Sequence, residues 1–280
     1  MRSANQIHRL PTVSRRVILR RGFTLTEVLI VLGLIIVLIS LFLPVLTRAR
    51  AAARQAACLS NLRQMGLAWT IYLNENKGRL PDYAWNIPAT PDGNGWDDYW
   101  PGILQTYKVR GQALLCPAAN EPIPYAQLNK GFGNVNYAWT GAFSSAGTVG
   151  RLNEGLAQIS SYGYNRYLTA AGGFARDTAA TRITAARGIT RIPVFFDCTA
   201  VDARPVNGSE IKPVETPPNL RGDGFALGAP EHWRFLIARH GRGVNVFFAD
   251  GSARWNPLEQ MYMLAWRSDW VSYPLTLPLY

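Results

Sequence analysis

A chain of 280 residues has room for one substantial domain with a real core. Its formal net charge is +11, but six arginines and no acid stand in residues 1–22, so residues 23–280 hold 23 basic and 18 acidic side chains, a formal +5. A nucleic-acid reading of the basic balance is weakened accordingly, because over half of the excess lies in one short N-terminal segment.

The first predicted element begins at that segment. Residues 20–46 read RRGFTLTEVLIVLGLIIVLISLFLPVL, and from Phe23 to Leu46 the only charge is Glu27. The run is long enough to cross a bilayer as a helix of roughly 20 residues. A carboxylate inside such a helix costs about 2.5–3.5 kcal/mol near its centre and less near an end, so something must offset it. The arginines before the run act as the positive-inside determinant and predict a cytoplasmic N-terminus.

Arg-Arg-Gly-Phe-Thr-Leu-Thr-Glu followed at once by a membrane-length run resembles the N-terminus of type IV prepilins, a family that includes the pseudopilins of type II secretion. The resemblance implies that residues 1–22 are a cytoplasmic leader, cut after Gly22 by prepilin peptidase, and that Phe23 is then N-methylated. It also implies a role for Glu27, which would meet the free amine of a neighbouring subunit's Phe23. In a low-dielectric surrounding that pair is worth far more than in water, and it would specify axial register. An uncleaved signal anchor with a snorkelling Glu27 is the less specific alternative. An ordinary secretory cleavage site fits poorly, since Ala51, Ala52, Ala53, Ala56 and Ala57 alternate with Arg48, Arg50 and Arg54. That mixture reads as helix continuing into solvent. Gln55-Ala-Ala-Cys58 likewise lies too far past the apolar run for a lipoprotein site.

Pro44 is a point of possible kinking, yet Leu59, Leu62, Met65, Trp69, Tyr72 and Leu73 recur at helical spacing. A helix from Phe23 to about Asn76 is predicted, on the order of 80 Å long at 1.5 Å per residue. Gly78 followed by Pro81 ends it. Residues 82–150, rich in Pro, Gly, Asn, Trp and Tyr, read as loops with one or two short helices. The aromatics Tyr83, Trp85, Trp96, Tyr99, Trp100 and Tyr107 are core candidates, a partner or glycan surface being the other reading. Strands are predicted at Ile192–Phe196, Phe235–Ala238, Val244–Phe248 and Ser252–Trp255, the last two joined at Asp250-Gly251. Asn256-Pro257-Leu258-Glu259 predicts a capped helix running to about Trp266.

Three cysteines fall on the side expected to be exported, where disulfides persist. Cys58 and Cys116 form the preferred pair, with buried free thiols as the alternative. No Cys-x-x-Cys is present, and His232 with His240 makes a poor zinc set, so neither a metal nor any other cofactor is expected. Calcium has a weak candidate in Asp92, Asn94 and Asp97, which lack the Gly and distal Glu of an EF-hand loop. Asp197 with Asp202 is a second oxygen-rich pair. No Gly-x-Ser-x-Gly elbow supports a serine hydrolase, and no catalysis is expected.

His240, followed after nine residues by Asp250-Gly251, resembles a C-terminal module found with large prepilin-like proteins and named for that spacing. Cys58-Leu-Ser-Asn-Leu-Arg-Gln-Met-Gly-Leu-Ala and Ser161-Tyr-Gly-Tyr-Asn165 are similar to two further motifs of the same group. From the residues alone, Asp250-Gly251 is a hairpin turn and His240 a structural hydrogen-bonder.

These readings converge on an α+β, pilin-like fold: a long N-terminal transmembrane helix packed on a small antiparallel sheet with large loop insertions. The expected organisation is a leader at 1–22, a transmembrane helix at 23–46 and an exported soluble domain at 47–280. The function implied is a structural subunit of a type II secretion or type IV pilus-type filament in a bacterial inner membrane, its soluble domain periplasmic. Its implied partners are other pilin-like subunits, prepilin peptidase, an assembly ATPase and a membrane platform protein. A pilus subunit for adhesion, motility or DNA uptake, and a membrane-tethered ligand-binding protein, remain open.

Overall fold

The computed structural model describes residues 23–81, 100–119, 121–122, 132–140, 159–169, 188–205, 217, 219–222 and 230–277. The chain divides between Arg48 and Ala49 into two units, and its class is α+β.

Helix α1 (Leu25–Glu75) runs for 51 residues and includes Pro44. Its start is a reciprocal capping box. The Thr24 hydroxyl accepts the Glu27 backbone N–H at 3.3 Å, and Glu27 Oε2 accepts the Thr24 N–H at 2.8 Å. Pro44 has no N–H and so leaves the Ser40 carbonyl without its usual helical donor. The large apolar side chains from Phe23 to Leu46 are exposed. Among the described residues, α1 is the one helix long and apolar enough to cross a membrane. It ends as its sequence demands: Lys77 and Gly78 take left-handed backbone angles (φ 56° and 78°), and the Gly78 N–H closes onto the Leu73 carbonyl.

Within the second unit, Cys58, Leu62, Met65, Gly66, Trp69 and Leu73 form the buried stripe of α1. That stripe lies against a five-stranded sheet, which in chain order contains β4 (Tyr162–Asn165), β5 (Pro193–Asp197), β6 (Asp202–Ala203), β7 (Gly243–Phe248) and β8 (Ala253–Pro257). The spatial order is β6-β4-β5-β7-β8. Every neighbour is antiparallel except the edge pair β6–β4, which is parallel. A smaller sheet joins β1 (Glu121–Pro122), β2 (Tyr137–Thr140) and β3 (Ile159–Ser160), with β1 parallel to β2. The predicted antiparallel character thus holds in the centre and gives way to parallel pairs at two edges. The short helix α2 (Trp100–Thr106) adds Trp100 and Leu104 to the core.

Side chains alternate along the strands. The registers Tyr162↔Asp197, Tyr164↔Phe195 and Phe195↔Phe247 put Tyr162, Tyr164, Phe195, Asp197, Asn245 and Phe247 on one face. This is the face toward α1, since Gly66 meets the Phe247 ring and the Cys58 sulfur meets Tyr162 and Asp197. On the other face Phe196 packs edge-on against both Phe235 and Trp266, which stack with centroids 4.6 Å apart.

Two predicted elements take another form. Phe235–Ala238 is buried but joins no sheet; the Ala238 N–H goes to the Leu220 carbonyl rather than into a ladder. Its apolar run serves the layer beneath the sheet. The predicted C-terminal helix is a 3₁₀ helix, Leu258–Met263. Asn256 does not cap it, because its amide donates to the Pro257 carbonyl and Glu259 pairs with Arg242.

Candidate functional site

Residues from four separate parts of the sequence meet at one buried point between α1 and the sheet. Cys58 arrives on α1, and Cys116 on the turn after the 3₁₀ helix Gly111–Leu114. Asn61, one turn beyond Cys58, holds that turn in place by donating to the Leu115 carbonyl at 2.8 Å. Asp197 ends β5, and His240 stands on the tight turn leading into β7. Gly241, at φ +67°, makes that turn possible, and the His240 N–H closes it on the Gly243 carbonyl. Gly243 is required there because a Cβ would fall 2.2 Å from the Trp255 ring, whose Nε1 donates to the His240 carbonyl at 3.0 Å.

One donor atom from each residue lies within 4.8 Å of the others, and all four side chains are buried. Cys58 Sγ is 3.4 Å from Asp197 Oδ1, Cys116 Sγ is 3.3 Å from His240 Nε2, and His240 Nε2 is 3.4 Å from Asp197 Oδ2. Cys58 and Cys116 are thus neighbours, each a free thiol. The third cysteine, Cys198, is apart; its side chain fills the space where a Cβ on Gly163 would sit.

The surroundings orient the carboxylate. Asp197 Oδ2 accepts the Asn245 backbone N–H at 2.8 Å, and Arg239, its side chain wholly buried, lies 3.5 Å from Oδ1. Arg239 also donates to the carbonyls of Ser161, Cys198 and Asn134. The Tyr162 hydroxyl lies 3.1 Å from the Cys58 sulfur. The Ser161-Tyr-Gly-Tyr-Asn165 motif therefore frames this point. Its Asn165 amide ties the Pro193 and Trp266 carbonyls together at 2.9 and 3.0 Å.

Electrostatics separate the two thiols. Burial pushes Cys58 well above the ordinary thiol range. Burial also raises Cys116, but hydrogen bonds with Cys58 and His240 and the nearby Arg239 charge outweigh it and bring it down to about 6. For His240, burial favours the neutral ring, yet the Asp197 charge and Cys116 raise it above the usual imidazole value.

Chemically the arrangement is convergent rather than relaying. A Cys-His-Asp triad uses one ring nitrogen for the nucleophile and the other for the carboxylate. Here the same Nε2 faces both Cys116 and Asp197, so no such relay exists. Four donors aimed at a common point are instead what a bound cation requires.

The other predicted site residues lie elsewhere. Asp250 and Gly251 form the β7–β8 turn: Asp250 Oδ1 accepts the Ser252 N–H at 2.9 Å, and Gly251 has φ +86°. They do not join His240. Phe23 is 88% exposed and Glu27 lies one turn beyond it. Asp202 pairs with Arg234, not with Asp197, and His232 packs edge-on against Tyr262. Gly22 and the calcium candidates Asp92, Asn94 and Asp97 fall outside the described residues. The residue that sequence reasoning missed as a partner of the thiols is Asp197. Its signal was an acid closing the otherwise apolar strand Pro193-Val-Phe-Phe-Asp197.

Residues 47–104, roughly a fifth of the chain, match a family model, SBP_bac_10, described as protein of unknown function (DUF1559). The match takes in Cys58 and the buried half of α1 through most of α2. No curated protein and no solved structure matches the chain.

Proposed function

We propose that this chain is a non-catalytic structural subunit of a type II secretion or type IV pilus-type filament, matured by prepilin peptidase cutting after Gly22. The observation that carries the reading is α1 itself. Its first part exposes an apolar surface from Phe23 to Leu46 in which Glu27 is the only charge, while its last part is a central core element of the folded unit. A soluble protein rarely leaves so large an apolar surface uncovered. Lipid covers it before assembly, and the same segments of neighbouring subunits cover it in a filament. The implied partners are copies of pilin-like subunits, an assembly ATPase and an inner-membrane platform protein, with the folded unit on the periplasmic side.

Mass spectrometry of the N-terminus of protein isolated from its own cells tests this directly. A chain beginning at N-methylated Phe23 is the expected result, and replacing Gly22 by a bulky residue should abolish it. Recovery of the full-length chain with its arginine-rich head attached would overturn the reading.

A further inference from the structure

We propose that Cys58, Cys116, Asp197 and His240 bind one zinc ion in a closed, tetrahedral, structural site. The argument begins with the separations between donors. A tetrahedral ion with Zn–S of about 2.3 Å and Zn–N or Zn–O of about 2.0–2.1 Å holds its ligands roughly 3.3–3.8 Å apart. Three separations, 3.3 Å between Cys116 and His240 and 3.4 Å from each Asp197 oxygen to its own neighbour (Oδ1 to Cys58, Oδ2 to His240), match that scale, and the four-atom set as a whole lies within 4.8 Å. Two sulfurs, one imidazole nitrogen and one carboxylate oxygen form a donor set suited to zinc, whereas calcium and magnesium favour oxygen.

The geometry also fits what lies around the four donors. All are buried, so no coordination position opens to solvent or substrate, the mark of a structural rather than a catalytic site. Two thiolates and a carboxylate around Zn²⁺ leave one excess negative charge. Arg239, wholly buried and 3.5 Å from Asp197, supplies the balancing positive charge. The Asn245 N–H on Asp197 and the Tyr162 hydroxyl beside Cys58 provide outer hydrogen bonds of the kind that orient metal ligands. Loading releases protons to solvent, since the sulfurs bind as thiolates and the imidazole as its neutral ring.

The consequence is a staple. The site would join α1, the turn at Cys116, the end of β5 and the turn into β7, four segments spread from residue 58 to residue 240. Metal affinity for such a set becomes folding free energy. A Cys58–Cys116 disulfide would use the same sulfurs and exclude the ion, so the two states are mutually exclusive and an experiment separates them.

The full chain, purified in detergent, is reduced, stripped with chelator and titrated with Co²⁺, then with Zn²⁺. One Co²⁺ per chain is expected, with the thiolate-to-cobalt charge-transfer and intense d–d bands of a tetrahedral site, bleached by one equivalent of Zn²⁺. Cys116→Ser and Asp197→Asn should weaken binding and shift those bands, while Cys198→Ser leaves them unchanged. Arg239→Gln should weaken affinity by about 10–100-fold. Absence of tetrahedral cobalt bands in the wild-type chain would overturn the proposal without recourse to any variant. So would protein recovered from cells, with thiols trapped at lysis, that carries a Cys58–Cys116 disulfide and no metal.

Discussion

At Asp202, burial and charge act on one carboxyl in opposite directions. Burial raises its pKa to about 6, outweighing the pull of Arg234, whose Nη1 lies 3.4 Å from Oδ1. An unfolded Asp titrates near 3.9. From about pH 4 to pH 6 the folded chain therefore keeps a proton that the unfolded chain has lost, and stability falls as pH rises through that window. Above pH 6 the deficit is constant, on the order of 3 kcal/mol for a shift of about two units. Asp202→Asn should remove this component. Melting temperatures of wild type and variant, measured between pH 4 and 7, should show wild type losing ground to the variant as pH rises, and a constant difference would refute the assignment. The residue scale is also where the sequence was least legible. Cys58, Cys116 and His240 each drew attention, but as a disulfide pair and a spacing motif. The acid at the end of an apolar strand marked Asp197 locally, but it did not name Cys58, 139 residues away, as its partner, because sheet register creates that meeting and register depends on pairings far apart in the chain.

Elements were legible where periodicity was long. The stripe on α1 was predicted from its spacing and is buried, with its centre shifted toward Cys58, Gly66 and Ala68 while Leu59 and Tyr72 lie half-buried at the margins. The Asp250-Gly251 hairpin followed from turn chemistry. Phe235–Ala238 was misread because a short apolar run records burial without recording whether its backbone joins a ladder. Tyr162–Asn165 is a strand in spite of its Gly, since Gly163 must admit the Cys198 side chain. At Gly66 helix α1 meets β7 closely: a Cβ there would lie 2.1 Å from carbons of the Phe247 ring. Gly66→Ala gains about 1 kcal/mol of helix propensity but overpacks a helix–sheet contact, a change that costs about 1–3 kcal/mol or more. The clash should win, because Phe247 is itself hemmed in by Phe195 at 6.5 Å between centroids. Gly66→Ala should lower the melting temperature, and adding Phe247→Leu should recover part of the loss. A more stable Gly66→Ala variant would show that the ring is free to move aside.

For the whole molecule the question is what Glu27 is for, and two roles now compete. The capping box at the start of α1 uses its carboxylate within the chain: Glu27 Oε2 accepts from the Thr24 N–H and, at 2.9 Å, from the Thr24 hydroxyl. Assembly through a neighbour's Phe23 amine would use its charge between chains. Glutamine distinguishes them, because it fills the same place in a capping box yet carries no charge with which to pair an ammonium group. Losing the Glu27 half of the box costs less than the roughly 0.5–2 kcal/mol of a whole cap, because the Thr24 hydroxyl still accepts the backbone N–H of residue 27, and it is felt only as fraying at the first turn, since the buried part of α1 begins at Cys58. Glu27→Gln and Glu27→Ala should therefore both leave the melting temperature of the folded unit unchanged and both be cut after Gly22. If charge pairing sets register, both variants should fail to enter filaments when expressed in place of the wild-type chain. If the cap is the whole role, Glu27→Gln should assemble normally and only Glu27→Ala should fail. Quantifying each variant in sheared filament fractions decides between them, and the pairing role stands only if glutamine, which preserves the helix start, still blocks incorporation.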